Sequence, residues 1–521
     1  MSMDLGWGQH YIWLRYHELP PHARHNTHII LNLEIPPGLT VQNCRAVLNQ
    51  TVRRHETLRT TYHFDLDGDP YTVVRPPGPC PLVVLSAEKD GTPMPAEVVD
   101  RLGTAEFDLA QEWPIRVVVI TREGVPAQAV VVLNHLAVDM WTVTELKREM
   151  WSSCVGVVAR RPTAVEPVRH RPSDLVRHEA SLDPAPALAY WEKEIEAMPA
   201  DGFGDRRRPG PPEETLRASL VSPALLGAAQ RIAARHRVWP SQVHLAAYTA
   251  LMAAYTGGPS FDHLTFTGNR ESGPYSNVLT CMFSPLLMRV DLTDDPPFAE
   301  LLARVADRFE QAREHAHVPY DAVVELLARK GVRLASEFNF IKQRTLESRA
   351  RRSRITWQPP AGAYGTDTYV RVDQWLDSVV VALNAASSVM DADAVERFLR
   401  ALETTILTYD ATPDGLRISD IAALAGFAPA PAPSRGIDTR TVPAQGAVAA
   451  LASAVGRANG LSGVDPALNY AEAGGGVLRI PRVLALLRDL GWAGVTLHQL
   501  TGVTPLGILA GQLLQPGVRH D

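Results

Sequence analysis

The sequence predicts a mixed α/β protein built from about three units, and three observations carry that expectation. Its 521 residues exceed what one hydrophobic core normally organises. Strand-length apolar runs share the chain with stretches whose apolar residues recur at helical spacing. An Ala- and Pro-rich stretch over 426–445 reads as a semi-extended linker that sets residues 446–521 apart. Apolar content of 45% with 21% charged residues is ordinary for a globular chain, and a net charge of −6 argues against a nucleic-acid binder. No apolar span reaches membrane-crossing length, and Asp4, Gln9 and His10 stand where a signal peptide needs an apolar block, so a cytoplasmic protein without a membrane partner is expected. Cys44, Cys80, Cys154 and Cys281 are far apart and form no Cys-x-x-Cys pair, which fits neither a disulfide framework nor a zinc site.

Taken in order, 28–35 alternates as a strand, and Val41, Cys44, Val47, Leu48 and Val52 follow Thr40, a good N-cap, as an amphipathic helix. Pro114–Ile120 and the run from Ala129 form a predicted hairpin turning at Glu123-Gly124. Helices are expected over Thr142–Trp151 and from Ala189. The Gly-, Pro- and Arg-rich stretch from Asp201 to Glu213, with Arg206, Arg207 and Arg208, reads as a crossover between two halves. A second basic cluster contains Arg349, Arg351, Arg352 and Arg354. Both clusters read as solvated loops, with a phosphate or an acidic carrier helix as the alternative partner. Further helices are predicted from Pro240 through Tyr255, ending at Gly257-Gly258, from Phe298 through Ala312, and from Asp391 to Thr408.

The stretch from Ala129 to Trp141 is the place to look for chemistry. A buried strand runs into Asn134, His135 and Asp139, so a rigid element displays polar groups at its end. An imidazole held there can accept a proton near neutral pH. Asp139 either orients a neighbour or carries a structural ion pair. A packed or solvated histidine is the bland reading of the same residues, and a His/Asp metal pair at four-residue spacing lacks a third ligand nearby.

The stretch Asn134-His135-Leu136-Ala137-Val138-Asp139-Met140 resembles the His-His-x-x-x-Asp-Gly core motif of condensation domains from nonribosomal peptide synthetases. His135 falls on the second histidine, the one tied to activity in that family, and Asp139 falls on the aspartate. Asn134 replaces the first histidine and Met140 replaces the glycine. Arg54-His55-Glu56-Thr57-Leu58-Arg59-Thr60 is similar to the family's Arg-His-Glu-x-Leu-Arg-Thr motif, with His55 read as structural, and Gln9-x-x-x-Trp13 resembles its first motif. Cys281–Arg289 resembles a diverged fifth motif whose closing arginine pairs with the motif aspartate, so the resemblance implies Arg289 as the partner of Asp139. His315–Asp321 and Phe338-Asn339-Phe340 resemble later motifs. The implied fold is two chloramphenicol-acetyltransferase-like lobes in a V-shaped pseudo-dimer, residues 1–200 and 201–425, with a channel between them.

The tail carries a second resemblance. Asn469–Leu478 and the following segments look like a peptidyl carrier domain over 446–521, in which a serine after Gly-Gly-x receives the phosphopantetheine arm. Here that position is Val477, which has no hydroxyl, so the resemblance implies a degenerate carrier-like domain without a covalent cofactor. The implied activity is that of a free-standing condensation enzyme. It would join an acyl or aminoacyl group, held on a carrier protein by phosphopantetheine, to an amine or alcohol. The acceptor is either on a second carrier or a free small molecule. His135 would orient or deprotonate the nucleophile, Asp139, Arg289 and Asn134 would support the site, and Met140 would shape the channel in place of a turn glycine. No metal is expected. The alternative is a catalytically silent platform that recruits a carrier protein or a tailoring enzyme.

Overall fold

The computed structural model describes residues 2–66, 68–87, 96–161, 165–208, 214–270, 273–343, 350–362, 366–413, 415–429, 444 and 446–515. Most of the predicted linker at 426–445, together with Arg349 and residues 209–213, lies outside the described residues.

The first unit begins with β1 (Ser2–Asp4), α1 (Trp7–Glu18), β2 (His28–Glu34) and α2 (Val41–Arg54). Thr40 caps α2 as its sequence position suggests, its hydroxyl accepting from the Asn43 N–H at 3.1 Å. Strands β3 (Thr60–Phe64), β4 (Pro70–Val74) and β5 (Leu82–Ala87) follow, then α3 (Ala96–Thr104). The predicted hairpin is β6 (Ile115–Arg122) and β7 (Val125–Asn134). Its turn residues Glu123 and Gly124 have φ of 52° and 79°, the double left-handed conformation that matches strand twist. Helix α4 (Met140–Val158) then begins directly after the His135 loop. The main sheet of this unit runs β2-β7-β6-β5. Residues Leu31, Val131 and Val117 share one face of it and pack toward α2 and α4.

Helices α5 (Pro172–Glu179) and α6 (Ala185–Glu196) lead to the second unit. Trp191 and Ile195 of α6 pack with Leu264, Leu287 and Val323, so this helix shares the core of the second half although it precedes residue 201. That half comprises β8 (Glu214–Ser222), α7 (Pro223–His236), α8 (Pro240–Thr256), β9 (His263–Thr267), β10 (Ser284–Met288), α9 (Phe298–Glu314) and α10 (Tyr320–Arg329). Strands β11 (Ser336–Lys342), β12 (Arg354–Gly362), β13 (Thr368–Gln374) and β14 (Val379–Ala386) and helices α11 (Ala392–Ala411) and α12 (Ile418–Ala425) complete it. Among the described residues its sheet has seven strands, ordered β10-β9-β11-β13-β14-β8-β12. Period-two alternation gives this sheet two unlike faces. Phe338, Val370, Val372, Val381, Leu383 and Leu220 are buried in the core built with α7, α8 and α11.

The C-terminal unit holds α13 (Ala447–Asn459), α14 (Ile480–Asp489) and two one-turn helices, α15 (Leu497–Leu500) and α16 (Leu506–Leu509). It does not hang free. Leu451, Val483 and Leu500 share one apolar cluster with Leu5, Ile12 and Trp13, the last two on α1. Arg479 makes a bidentate pair with Asp69, both contacts 2.6 Å, and Asn469 donates to the Ala328 carbonyl at 3.2 Å. Val477 is 1% exposed, and its N–H donates to a Glu325 carboxylate oxygen in α10 at 3.0 Å. Gly475 is needed beside it, because a Cβ there would meet the Tyr470 ring at 2.4 Å. Among the described residues no helix is long and apolar enough to cross a membrane.

Candidate active site

Strand β7 ends at Asn134 and α4 starts at Met140, so His135 sits on a five-residue connection between two rigid elements. The connection is tied at every step. The His135 N–H donates to the Thr27 carbonyl at 3.1 Å, and Gln9 donates to the Leu136 carbonyl at 2.7 Å. Thr57, within the second motif, donates its hydroxyl to the Ala137 carbonyl. The rest of that motif turns away from the loop: Arg54 and His55 both reach Glu149 of α4, at 2.9 and 3.0 Å. These residues hold the loop and α4 in place and do not line the cavity described next.

That cavity has a volume of about 1900 Å³ and draws its walls from both halves of the chain. From the first come Tyr11, Arg15, His135, Asp139, Met140 and Trp141, and from the second Phe266, Phe283, Glu337, Asn339, Tyr369, Arg371 and Arg217. His135 is half-buried on this wall, 5.4 Å from the Phe283 ring, with its Nδ1 4.0 Å from the Cys281 sulfur. Burial lowers its pKa from 6.5, while hydrogen bonding to its own and the Val138 carbonyl and the Asp139 charge oppose that shift. The imidazole is therefore neutral near pH 7 and able to take a proton. Burial drives the Cys281 thiol well above its ordinary pKa, so it is protonated and not a nucleophile.

Asp139 is fully committed elsewhere. One oxygen accepts from the Thr142 N–H at 2.7 Å and caps α4; the other accepts from Arg270 at 2.8 Å and from the Met282 N–H at 3.0 Å. Arg270 also donates to the Thr280 carbonyl and the Thr142 hydroxyl, at 2.8 and 3.1 Å, and lies 4.2 Å over the Trp141 ring. This network latches the His135 loop to the 276–283 segment of the second half. Gly8 allows the same segment to approach α1, since a Cβ there would lie 2.6 Å from the Met282 backbone.

The resemblance implies Arg289 as the partner of Asp139, but the aspartate's partner is Arg270. Strand β10 carries the chain away from the loop, and its four steps from Ser284 to Met288, about 3.4 Å each, displace its far end by roughly 14 Å. In the β9–β10 register Met288 lies opposite His263, so Arg289 faces Asp262, 3.5 Å away. Burial raises Asp262 to about 6.

Asn134 and Met140, which flank the motif, take different positions in the site. Asn134 is fully buried and absent from the cavity wall; its Oδ1 accepts from the Leu136 N–H at 3.0 Å and shapes the turn before His135. Met140 does line the cavity, but its backbone is that of the first helical residue of α4 and its φ is not positive, so no glycine is required there. Val477 lies in the C-terminal unit, outside the cavity. Among the described residues no cluster of three His, Cys, Asp or Glu side chains is arranged to hold a metal.

Sequence reasoning passed over the polar wall of the second half. Glu337 and Asn339 of β11 lie beside Tyr369 and Arg371 of β13 in register, and Asn339 donates to the Tyr369 hydroxyl at 3.1 Å. The signal was legible as alternating Glu337 and Asn339 in one strand and Tyr369, Arg371 and Asp373 in the other. Burial raises the pKa of the Glu337 carboxyl, on the wall facing the first half.

The cavity is thus shared by two sheet-based halves, with a loop histidine on its wall and an aspartate–arginine latch beneath it. The condensation-domain profile matches residues 13–363, and the chain belongs to that family. It is 24% identical over 411 residues to chondramide synthase cmdD of Chondromyces crocatus, covering 74% of this chain and 10% of that protein. The chain thus spans about a tenth of the length of that relative. Among solved structures it is similar to the condensation domain responsible for chain release from the enacyloxin polyketide synthase, with a TM-score of 0.64, 19% identity, and 80% and 84% of the two chains covered. It is also similar to the X-domain in complex with OxyB from teicoplanin biosynthesis, with a TM-score of 0.61, 21% identity, and 81% and 95% covered. At these identities the structures share the mixed α/β, chloramphenicol-acetyltransferase-like fold.

Proposed function

We propose that this chain is a condensation enzyme that joins an acyl group, held as a thioester on the phosphopantetheine arm of a separate carrier protein, to an amine or alcohol acceptor. The observation that carries the reading is His135: a neutral, half-buried imidazole on a cavity wall to which both halves contribute. The acceptor's nitrogen or oxygen bonds to the carbonyl carbon, the C–S bond breaks, and the proton taken by His135 passes to the departing thiolate. Bringing the nucleophile within about 3 Å of the carbonyl supplies most of the acceleration, and proton removal adds to it. Glu337, Asn339 and Arg371 of the second half, with Tyr11 of the first, offer hydrogen bonds to a polar acceptor.

In this reading the C-terminal unit is a degenerate carrier domain that has become a docked structural module. Val477 removes the hydroxyl, and its burial against Glu325 supports a packing role. The arms that deliver substrate belong to partner carriers, and the acceptor arrives on a second carrier or as a free small molecule.

A second reading, a silent platform that recruits a carrier protein or tailoring enzyme, is favoured by the likeness to an X-domain solved in complex with OxyB. One experiment separates the two. The protein is incubated with an acyl-loaded carrier and a panel of amines and alcohols, and the carrier is followed by intact mass. Loss of the acyl group that depends on His135 supports the enzyme. Binding of the carrier without turnover across the panel supports the platform.

A further inference from the structure

The cavity face of the second half's sheet carries a row of polar side chains whose far end plays no part in the reading above. Register sets the row. Glu337 lies opposite Tyr369, Tyr369 opposite Asn384, and Asn384 opposite Arg217, on the neighbouring strands β11, β13, β14 and β8. Neighbouring strands are about 4.8 Å apart, so the four residues extend about 14 Å along the wall. All four line the cavity, while Phe338, Val370, Leu383 and Ala218, each next to one of them in sequence, belong to the core on the other face. Arg371, two residues along β13 from Tyr369, is near enough for its charge to be felt at the His135 imidazole. The row therefore borders the proposed reaction centre.

The two ends of the row differ. Glu337 is hydrogen-bonded to Tyr11 and lies in the field of Arg15. The other arginines of the cavity are paired: Arg15 with Glu18 at 2.7 Å, Arg371 with Asp373 at 2.9 Å, and Arg148 with Glu145 at 2.5 Å. Lys147 and Lys342, which also line the cavity, are exposed to solvent. Arg217 has neither arrangement. It is half-buried, and among the described residues it has no hydrogen bond or ion pair; the half-buried Asn384 beside it has none either. A guanidinium cannot shed its charge, so partial burial without an anion is unfavourable, and a ligand's anion would offset that cost. Its planar fork of donors matches the two oxygens of a carboxylate, and the Asn384 amide adds a further N–H.

We propose that Arg217, with Asn384, holds a carboxylate of the acceptor, so that the acceptor is a free amino or hydroxy acid and not a carrier-bound group. An aminoacyl acceptor on a carrier has its carboxyl tied up as an uncharged thioester and offers Arg217 no anion. The inference rests on the condensation reading of His135, because that residue sets where the acceptor's amine or hydroxyl lies. The carboxylate takes no part in the bond change. It fixes one end of the acceptor while the other end meets the donor thioester.

The test uses γ-aminobutyrate and ε-aminocaproate, each beside its primary amide, with binding to the full chain measured calorimetrically. Charge-assisted pairing is expected to make the better acid bind about 10- to 100-fold tighter than its amide. Arg217→Gln is expected to bring that ratio to about one, and Arg217→Lys, which keeps the charge without the fork, to an intermediate value. Arg122→Gln, at an exposed position outside the cavity, is expected to keep the wild-type ratio. Equal affinity for acid and amide, absence of binding by both acids, or an unchanged ratio in folded Arg217→Gln overturns the proposal. Displacement of the acid by phosphopantetheine but not by pantetheine also overturns it, by assigning Arg217 to the phosphate of a carrier's arm. Because binding needs no turnover, acid-selective binding in a protein that transfers nothing would refute the catalytic reading alone. Transfer to acids and amides with equal kcat/KM would refute the carboxylate seat alone.

Discussion

Arg270 reaches across from the second half of the chain to Asp139 at 2.8 Å, and both side chains are almost wholly buried, 6% and 5% exposed. The pair fixes the loop that carries His135, because the same carboxylate caps α4 and holds the Met282 N–H. Removing one partner strands the other's charge in a region without solvent. Arg270→Ala is therefore expected to destabilise the protein by about 3–5 kcal/mol in chemical denaturation and to depress turnover. Arg289→Ala, at a side chain that pairs with Asp262, is expected to leave turnover unchanged. The reverse ranking in the same two assays would show that Arg289 supports the loop.

Much of this site was legible in the sequence, and the part that was not has a common cause. The hairpin turn at Glu123-Gly124, the Thr40 cap and the start of α4 beside Asp139 are local, set by residues within four positions of one another. The Arg-His-Glu motif is likewise local, though its purpose, holding Ala137 and Glu149, needs the tertiary structure. Arg270 could not be singled out, because several arginines lie in the loops of the second half and the choice among them depends on which strand end returns to the first half. The placement of α6 in the second half's core is a long-range packing preference of the same kind. Met140 lines the cavity as its motif position suggests, and the chain there needs no glycine because it is an N-capped helix start.

Restoring a serine in the C-terminal unit is expected to be ineffective. Val477→Ser supplies a hydroxyl, but the residue is 1% exposed and its backbone is bonded to Glu325. A modifying transferase needs the surrounding backbone in solvent. Intact mass after treatment with a promiscuous phosphopantetheinyl transferase should show no added arm in the folded variant, and a gain of one arm would show that the unit undocks.

Met140→Gly should separate shape from strain. As the first helical residue Met140 has no need of glycine, so the substitution is expected to cost roughly 0.5–1 kcal/mol of stability. It also clears side-chain volume from the cavity wall beside His135. Bulkier acceptors are expected to gain relative to small ones in a competition assay; a gain in stability would mean that the methionine is strained.

Acid stability is governed in part by His244, which is fully buried with neither ring nitrogen hydrogen-bonded. Burial lowers its pKa to about 4 from 6.5. The unfolded chain thus binds a proton below pH 6.5 that the folded chain refuses until about pH 4, so stability falls as pH drops through that window. At pH 4.5 this one group accounts for about 2–3 kcal/mol. Urea denaturation of His244→Leu at pH 7.5 and 4.5 is expected to show a loss between the two that is smaller by that amount. An unchanged loss would place the acid sensitivity in other groups.

The central claim concerns one ring, His135, and single-turnover transfer from an acyl-loaded carrier to an amine tests it most directly. With the wild-type protein the midpoint of the acid limb of the rate profile is expected below the ordinary imidazole value of 6.5, because burial lowers the imidazole pKa. His135→Ala, folded and still binding the carrier, is expected to transfer about 10²–10⁴-fold more slowly. Transfer by His135→Ala at the wild-type rate, with the same pH profile, would contradict the account.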